Sequence, residues 1–73
     1  YTALIGNGSS TSFAITQATH GLASDGSMIA DIFDASTGAR ILTDISINNA
    51  NGTVTFSFEN APSTNAYRIV IIG

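Results

Sequence analysis

Few residues in this chain could do chemistry. His20 is the only histidine, and Ser24 and Asp25 follow it closely enough to suggest a base, a nucleophile and an orienting carboxylate. Sequence spacing carries little weight here, because such triads are defined by their geometry. Asp31 and Asp34 could act as paired carboxylates, but residues three apart on a strand point to opposite faces. We therefore predict that the protein has no catalytic residues and is not an enzyme.

A metal site is a second possibility for His20. If three copies of the chain assembled around a threefold axis, its one histidine would become three, and three imidazoles can hold a metal ion or an anion. The chain has no cysteine and no second histidine to complete a site by itself. We favour the alternative, in which His20 bonds to backbone in a loop or an interface, and we expect no metal and no cofactor.

Charged residues are sparse. Two Arg, no Lys and five acidic residues give a net charge of −3, and charged residues make up 10% of the sequence, against about 25% in an average domain. Binding to phosphate backbones or anionic lipids requires a basic face. The composition therefore excludes nucleic acid as a partner and electrostatic attachment to a membrane. No apolar run approaches the roughly 20 residues that span a bilayer.

The length of the chain limits its core. A chain of 73 residues forms one domain, 1–73, near the lower size limit for a stable core. Small domains without disulfides often gain stability by oligomerisation. Because the sequence begins with Tyr1 and not with Met, we expect a fragment of a longer chain or a processed product.

Alternating apolar and polar residues predict five short strands and no helix. The predicted strands are 11–16, 27–34, 40–48, 53–59 and 67–72. Turn residues separate them at 34–38, 48–52 and 60–65, while 18–26 is an ambiguous loop. We predict an all-β fold, a small antiparallel β-sandwich of about five short strands joined mostly by hairpins.

Two of these strands, 27–34 and 67–72, are apolar on both sides. A two-sheet sandwich covers only one side of each strand. Burying about four further aliphatic side chains would contribute roughly 6–12 kcal/mol, which is comparable with the stability of a small domain. We predict that a partner surface covers them; the alternative is that they are ordinary exposed apolar residues. The predicted oligomer-interface residues are Ile29, Phe33, Val70 and Ile72.

Arg68 is the one charged residue in the most apolar predicted strand. A planar guanidinium is well matched to a carboxylate partner. We predict a structural ion pair between Arg68 and either Asp31 or Asp44, both of which lie in predicted strands.

Three segments of the sequence, taken in order, carry a family resemblance. They are IGNGSSTSFAIT, DIFDASTGARILTDISI and NGTVTFSFENAPSTNAYRIVIIG. The matching elements are Gly6-Asn7-Gly8, Thr11 to Ile15, Phe33-Asp34 with Thr37-Gly38, Val54 to Phe58, Ala61-Pro62 and Tyr67 to Gly73. Together they resemble a small β module of bacteriophage tail fibres, tailspikes and related adhesins. Asn7 stands where the family usually has Asp, and the turn that follows Leu22 also departs from the family pattern.

This resemblance implies an intertwined or axially packed homotrimer in the virion, at the phage tail. Its partners would be preceding fibre or tailspike domains, and it would act outside the cell in host attachment. One implied function is structural: a trimerisation or capping module that holds three chains together at the receptor-binding end. The alternative is a glycan-binding tip that contacts bacterial surface polysaccharide.

The alternative requires residues that bind sugar. Exposed aromatic rings beside amides and carboxylates usually serve this purpose, but the chain has no Trp and its four Phe fall on apolar strand positions. Tyr1 and Tyr67, with Asn49 in the 48–52 turn, are the candidate glycan-binding residues.

Overall fold

The structure, a computed structural model, describes residues 1–73 and contains six short strands and a single-turn helix. In chain order these are β1 (Thr2–Ile5), β2 (Ser12–Ile15), α1 (Gln17–His20), β3 (Ile29–Asp34), β4 (Asp44–Ile47), β5 (Val54–Ser57) and β6 (Tyr67–Ile72). The prediction of a mostly β chain is confirmed, although β1 and α1 were not predicted. No helix has the length and apolarity needed to cross a membrane.

The strands form two antiparallel sheets of three strands each. In the first sheet β6 lies between β1 and β3, and in the second sheet β5 lies between β2 and β4. Every connection except β4–β5 carries the chain from one sheet to the other. Of the two turns predicted as hairpins, 48–52 closes the β4–β5 hairpin and 34–38 pairs β3 with the short segment 39–41, whereas the other connections cross between the sheets.

The inward faces of the two sheets share one core. Side chains along a strand alternate between its faces, so every second residue points inward. The fully buried large side chains come from both sheets; they are Ile32, Ile69 and Ile71 in the first and Val54 and Phe56 in the second. Ile5 of β1 completes this cluster. The period-2 pattern therefore predicted the inward side of β3, β5 and β6 correctly.

The predicted strand 40–48 is divided between the two sheets. Arg40 forms a bridge with Phe33 of the first sheet, and the Ile41 N–H donates to the Ile32 carbonyl oxygen at 3.0 Å. The chain then crosses to the second sheet and begins β4 at Asp44. Leu42, at the crossing, is 96% exposed. The adjacent apolar pair at 41 and 42, which breaks the alternation, marks the point where the chain changes sheets.

The predicted turn at 34–38 is closed by the Asp34 side chain. Its Oδ1 atom accepts hydrogen bonds from the Ser36 N–H at 2.8 Å and the Thr37 N–H at 3.1 Å, and also from the Ser36 hydroxyl. The Ser36 hydroxyl and these N–H groups lower the pKa of Asp34 below its ordinary value, because they stabilise the charged carboxylate. Asp34 therefore has the turn-forming role that its position in the sequence indicated.

The turn at 48–52 closes the β4–β5 hairpin, as predicted. The Asn48 N–H donates to the Thr53 carbonyl oxygen at 2.9 Å, and the Gly52 N–H donates to the Asn48 carbonyl oxygen at 2.8 Å. Gly52 has a φ of +74°, and a Cβ at this position would overlap the Ala23 carbonyl oxygen. Only glycine fits both the conformation and the close approach of the 18–26 loop.

Candidate functional site

The outward face of the first sheet carries apolar side chains that do not pack into the core. The strand register places Ile29 beside Ile72, and Leu4 and Phe33 on either side of Arg68. Since Ile32 and Ile69 point into the core, their neighbours along each strand must point away from it. We refer to this surface as the outer apolar face; its apolar members are Leu4, Ile29, Phe33, Val70 and Ile72.

Much of this face is open to solvent. Ile29 is 70% exposed, Ile72 is 62% exposed and Leu4 is 50% exposed. Phe33 and Val70 are half-buried. The structure therefore brings the four predicted interface residues together on one surface and adds Leu4, which was missed because β1 was not predicted. That this surface is an interface stays a prediction.

The same face holds both arginines of the chain. Phe33 pairs with Arg68 on one side and with Arg40 on the other, so all three residues lie in one row. Asp31, in the neighbouring row, is the only acidic residue on the face, and its Oδ2 atom lies 2.9 Å from Arg40 Nε. The surface therefore combines exposed aliphatic side chains with one paired and one unpaired cation.

The predicted ion pair of Arg68 does not form within the chain. Asp31 pairs with Arg40, and Asp44 lies across from Ser57 in the second sheet. Arg40 was overlooked as the partner of Asp31, although the predicted turn at 34–38 brings residue 40 beside β3. Within the chain Arg68 has no carboxylate partner.

His20 has a structural role. It is 6% exposed, its Nε2 atom lies 2.7 Å from the Gly52 carbonyl oxygen, and its Nδ1 atom accepts the Leu22 N–H at 3.0 Å. This pattern assigns the neutral tautomer with the proton on Nε2, which then donates to Gly52. Because both ring nitrogens are used, neither offers a lone pair to a metal, and the favoured prediction of a backbone-bonded histidine is confirmed.

The neighbours of His20 do not extend it into a triad. Asp25 Oδ1 accepts the Ser27 N–H at 3.0 Å, and hydrogen bonds from Ser27 lower the pKa of Asp25 below its ordinary value. Ser24 and Asp25 are exposed, whereas the His20 ring is buried. The carboxylate of Asp25 therefore forms the local turn and does not orient the imidazole.

An open groove of about 740 Å³ lies between the crossing at 41–43 and the residues that follow β5. We refer to it as the acidic groove; the lining residues that matter below are Leu42, Asp44, Phe58, Glu59, Asn60 and Tyr67. Phe58 stacks on Tyr67 with the ring centroids 5.4 Å apart, and Phe13 meets Phe58 edge to face at 6.0 Å. These contacts fix the Tyr67 ring at one wall, while Asp44 and Glu59 are exposed.

The three predicted glycan-binding residues do not converge. Tyr67 lines the acidic groove, whereas the backbone of Tyr1 bonds to Ile71, four residues further along β6 and about 13 Å away. Asn49 lies in the β4–β5 turn, at the opposite end of that hairpin from the groove. The structure therefore keeps Tyr67 as a candidate sugar contact and places it with Asn60, in the 60–65 segment, and with Asp44 and Glu59, which the sequence did not indicate as sugar contacts.

Comparison of the chain with protein families, with curated proteins and with solved structures finds no match. The resemblance to phage tail modules consequently stays a prediction. The two surfaces described above, the outer apolar face and the acidic groove, are the basis for the function proposed below.

Proposed function

We propose that this chain is a structural module that holds three copies together, as the trimerisation or capping module of a phage tail fibre or tailspike near its receptor-binding end. The outer apolar face carries the proposal, because a sheet with one face in the core and a second apolar face needs further cover. The phage tail, the virion location and the attached fibre domains come from the sequence resemblance alone.

The size of the exposed surface supports this role. Leu4, Ile29 and Ile72 are each at least half exposed, and full burial of such side chains contributes about 1.5–3 kcal/mol each, or roughly 5–9 kcal/mol per chain. Association has its own entropic cost, so this figure is an upper limit to the gain. Single apolar residues scattered over a surface are common, but here the strand register places Ile29 directly beside Ile72 and puts Leu4 on the same side of the sheet, beside Arg68.

The test is the mass of the 73-residue chain in solution. Sedimentation velocity and light scattering should give three times the chain mass from low to high micromolar concentration. Circular dichroism and a cooperative melting curve should confirm that the sample is folded. A folded chain that stays monomeric throughout this range would contradict the proposal, since the outer apolar face would then be stable in water.

The acidic groove supports a second candidate, a glycan-binding tip. Its lining includes Tyr67, Asp44, Glu59 and Asn60, and aromatic, carboxylate and amide side chains are the types that bind the apolar faces and hydroxyls of sugars. A glycan array probed with the wild-type chain, and with the variant Asn60→Ala, tests this function. Binding that is lost in the variant favours the tip function, and a silent array favours the structural module.

A further inference from the structure

A ring of three identical chains needs two different contact surfaces on each chain. Each copy presents one surface to one neighbour and another surface to the second neighbour, because contacts in such a ring are heterologous. The outer apolar face supplies one of these surfaces. The inference that follows rests on the proposed function and concerns the surface of the next copy that meets this face.

The outer apolar face requires a partner that brings negative charge. Asp31, its only acid, is paired with Arg40, so Arg68 keeps its charge among the apolar side chains of Leu4, Phe33 and Val70. Covering this face without supplying a carboxylate would desolvate an unpaired guanidinium, which is strongly unfavourable. The partner surface must therefore combine apolar area with an acidic group.

The acidic groove has this combination. Leu42, at its rim, is 96% exposed, and Asp44 and Glu59 line its wall. The chain's one ion pair joins Arg40 and Asp31, so neither groove carboxylate is neutralised within its own chain.

The remaining acids are less suited to pair with Arg68. Asp25 and Asp34 use carboxylate oxygens to hold their own turns, and Asp31 already has a cation. The unpaired arginine and the unpaired carboxylates therefore lie on two separate surfaces of the same chain, and a single chain cannot join them.

We propose that the outer apolar face of one copy docks on the acidic groove of the next copy. Arg68 pairs with Asp44 and Glu59 of the partner subunit, and the aliphatic part of the face covers the partner subunit's Leu42. The pair between Arg68 and Asp44, one of the two that the sequence predicted, then forms between chains. Charge pairing of this kind sets the register of the contact more than its strength.

Charge reversal tests the contact from both sides. Arg68→Glu and Asp44→Arg should each raise the dissociation constant of the assembly at least about tenfold, because each brings like charges together at the contact. Ser46→Arg is the matched control, since Ser46 lies two residues from Asp44 on the same outward side of β4 and outside the groove. It should assemble like the wild type. Melting curves should show that all three variants fold.

Rescue decides between this contact and a symmetric one. Chains that carry both Arg68→Glu and Asp44→Arg should regain assembly, visible by native mass spectrometry, because every contact in the ring then joins opposite charges again. If the apolar faces instead met face to face, Asp44→Arg would assemble like the wild type and the double variant would not be rescued. Either result overturns the docking proposal and leaves the structural module in place, whereas a monomeric wild type overturns both.

Discussion

The outward faces of the two sheets differ in a way that the inward faces do not. Both sheets contribute large apolar side chains to the shared core. On the outside, the second sheet shows two rows of small or polar residues, Ser12–Ser57–Asp44 and Ala14–Thr55–Ser46. The first sheet shows Phe33–Arg68–Leu4 and the pair Ile29–Ile72. The core therefore buries one side of every strand. Only the first sheet carries large apolar side chains on its outward side, where a partner could bind.

Hydration explains why the second sheet needs no such partner. Hydroxyl and carboxylate groups on an exposed face keep their hydrogen bonds to water, whereas aliphatic groups gain only when they leave water. An antiparallel sheet with one polar face is stable against solvent. The contrast between the two outward faces therefore predicts that the contact surface lies on the first sheet. Substitutions on each of the two faces can test this prediction.

Replacing Ile29 and Ile72 together by Asn should have the largest effect on assembly. The change removes the two most exposed side chains of the outer apolar face, and we expect a loss of up to about 3–6 kcal/mol of association energy per chain. Sedimentation velocity measures this loss of association energy. The matched control is Ser46→Asn with Thr55→Asn on the second sheet; if the control weakens assembly equally, the two faces are equivalent.

Phe56→Ala should have the largest effect on folding. Phe56 is completely buried in the core, and truncating such a residue costs about 3–5 kcal/mol. Phe33→Ala, on the outer apolar face, should lower the unfolding free energy of a dilute, dissociated chain much less. Urea unfolding at low concentration compares the two variants, and a similar loss for both would remove the distinction between inward and outward positions.

His20→Ala should destabilise the fold without affecting the contact surfaces. The substitution leaves the Gly52 carbonyl and the Leu22 N–H without partners, and each unpaired buried group costs about 1–3 kcal/mol. Thermal unfolding should detect the loss, whereas the mass of the folded chain at a permissive temperature should stay that of the wild type. A change of mass would show that the His20 loop takes part in assembly.

The smallest expected effect is a pH dependence from Asp34. Its pKa is lowered from the ordinary value of 3.8, so the charged form stabilises the folded state. This contribution is complete above the unfolded-state pKa and is lost as the pH falls through the lower folded-state pKa. Asp34→Asn keeps an oxygen acceptor for the turn but does not titrate. Unfolding measured from neutral to strongly acidic pH should show a shallower decline for the variant, and parallel curves would contradict this role.

Sequence patterns predicted the strands and turns that depend on residues close together in the chain. Alternation placed β2, β5 and β6, and turn residues placed the 34–38 and 48–52 turns. β1 was missed because three consecutive apolar residues, Ala3 to Ile5, break the alternation in this strand, and because it pairs with β6 at the far end of the sequence. The acidic groove forms where the chain crosses between the sheets, and no local pattern describes such a place.

The central position of β6 affects how the chain can fold. β6 separates β1 from β3, so β1 has no neighbouring strand, and β3 has only the short 39–41 segment on its other edge, until residues 67–72 are available. Pairing over such sequence distances slows folding, because the loops must close before the contacts form. During synthesis the second sheet can form first, while β1 and the β6-facing edge of β3 stay unpaired until the segment that follows them is translated.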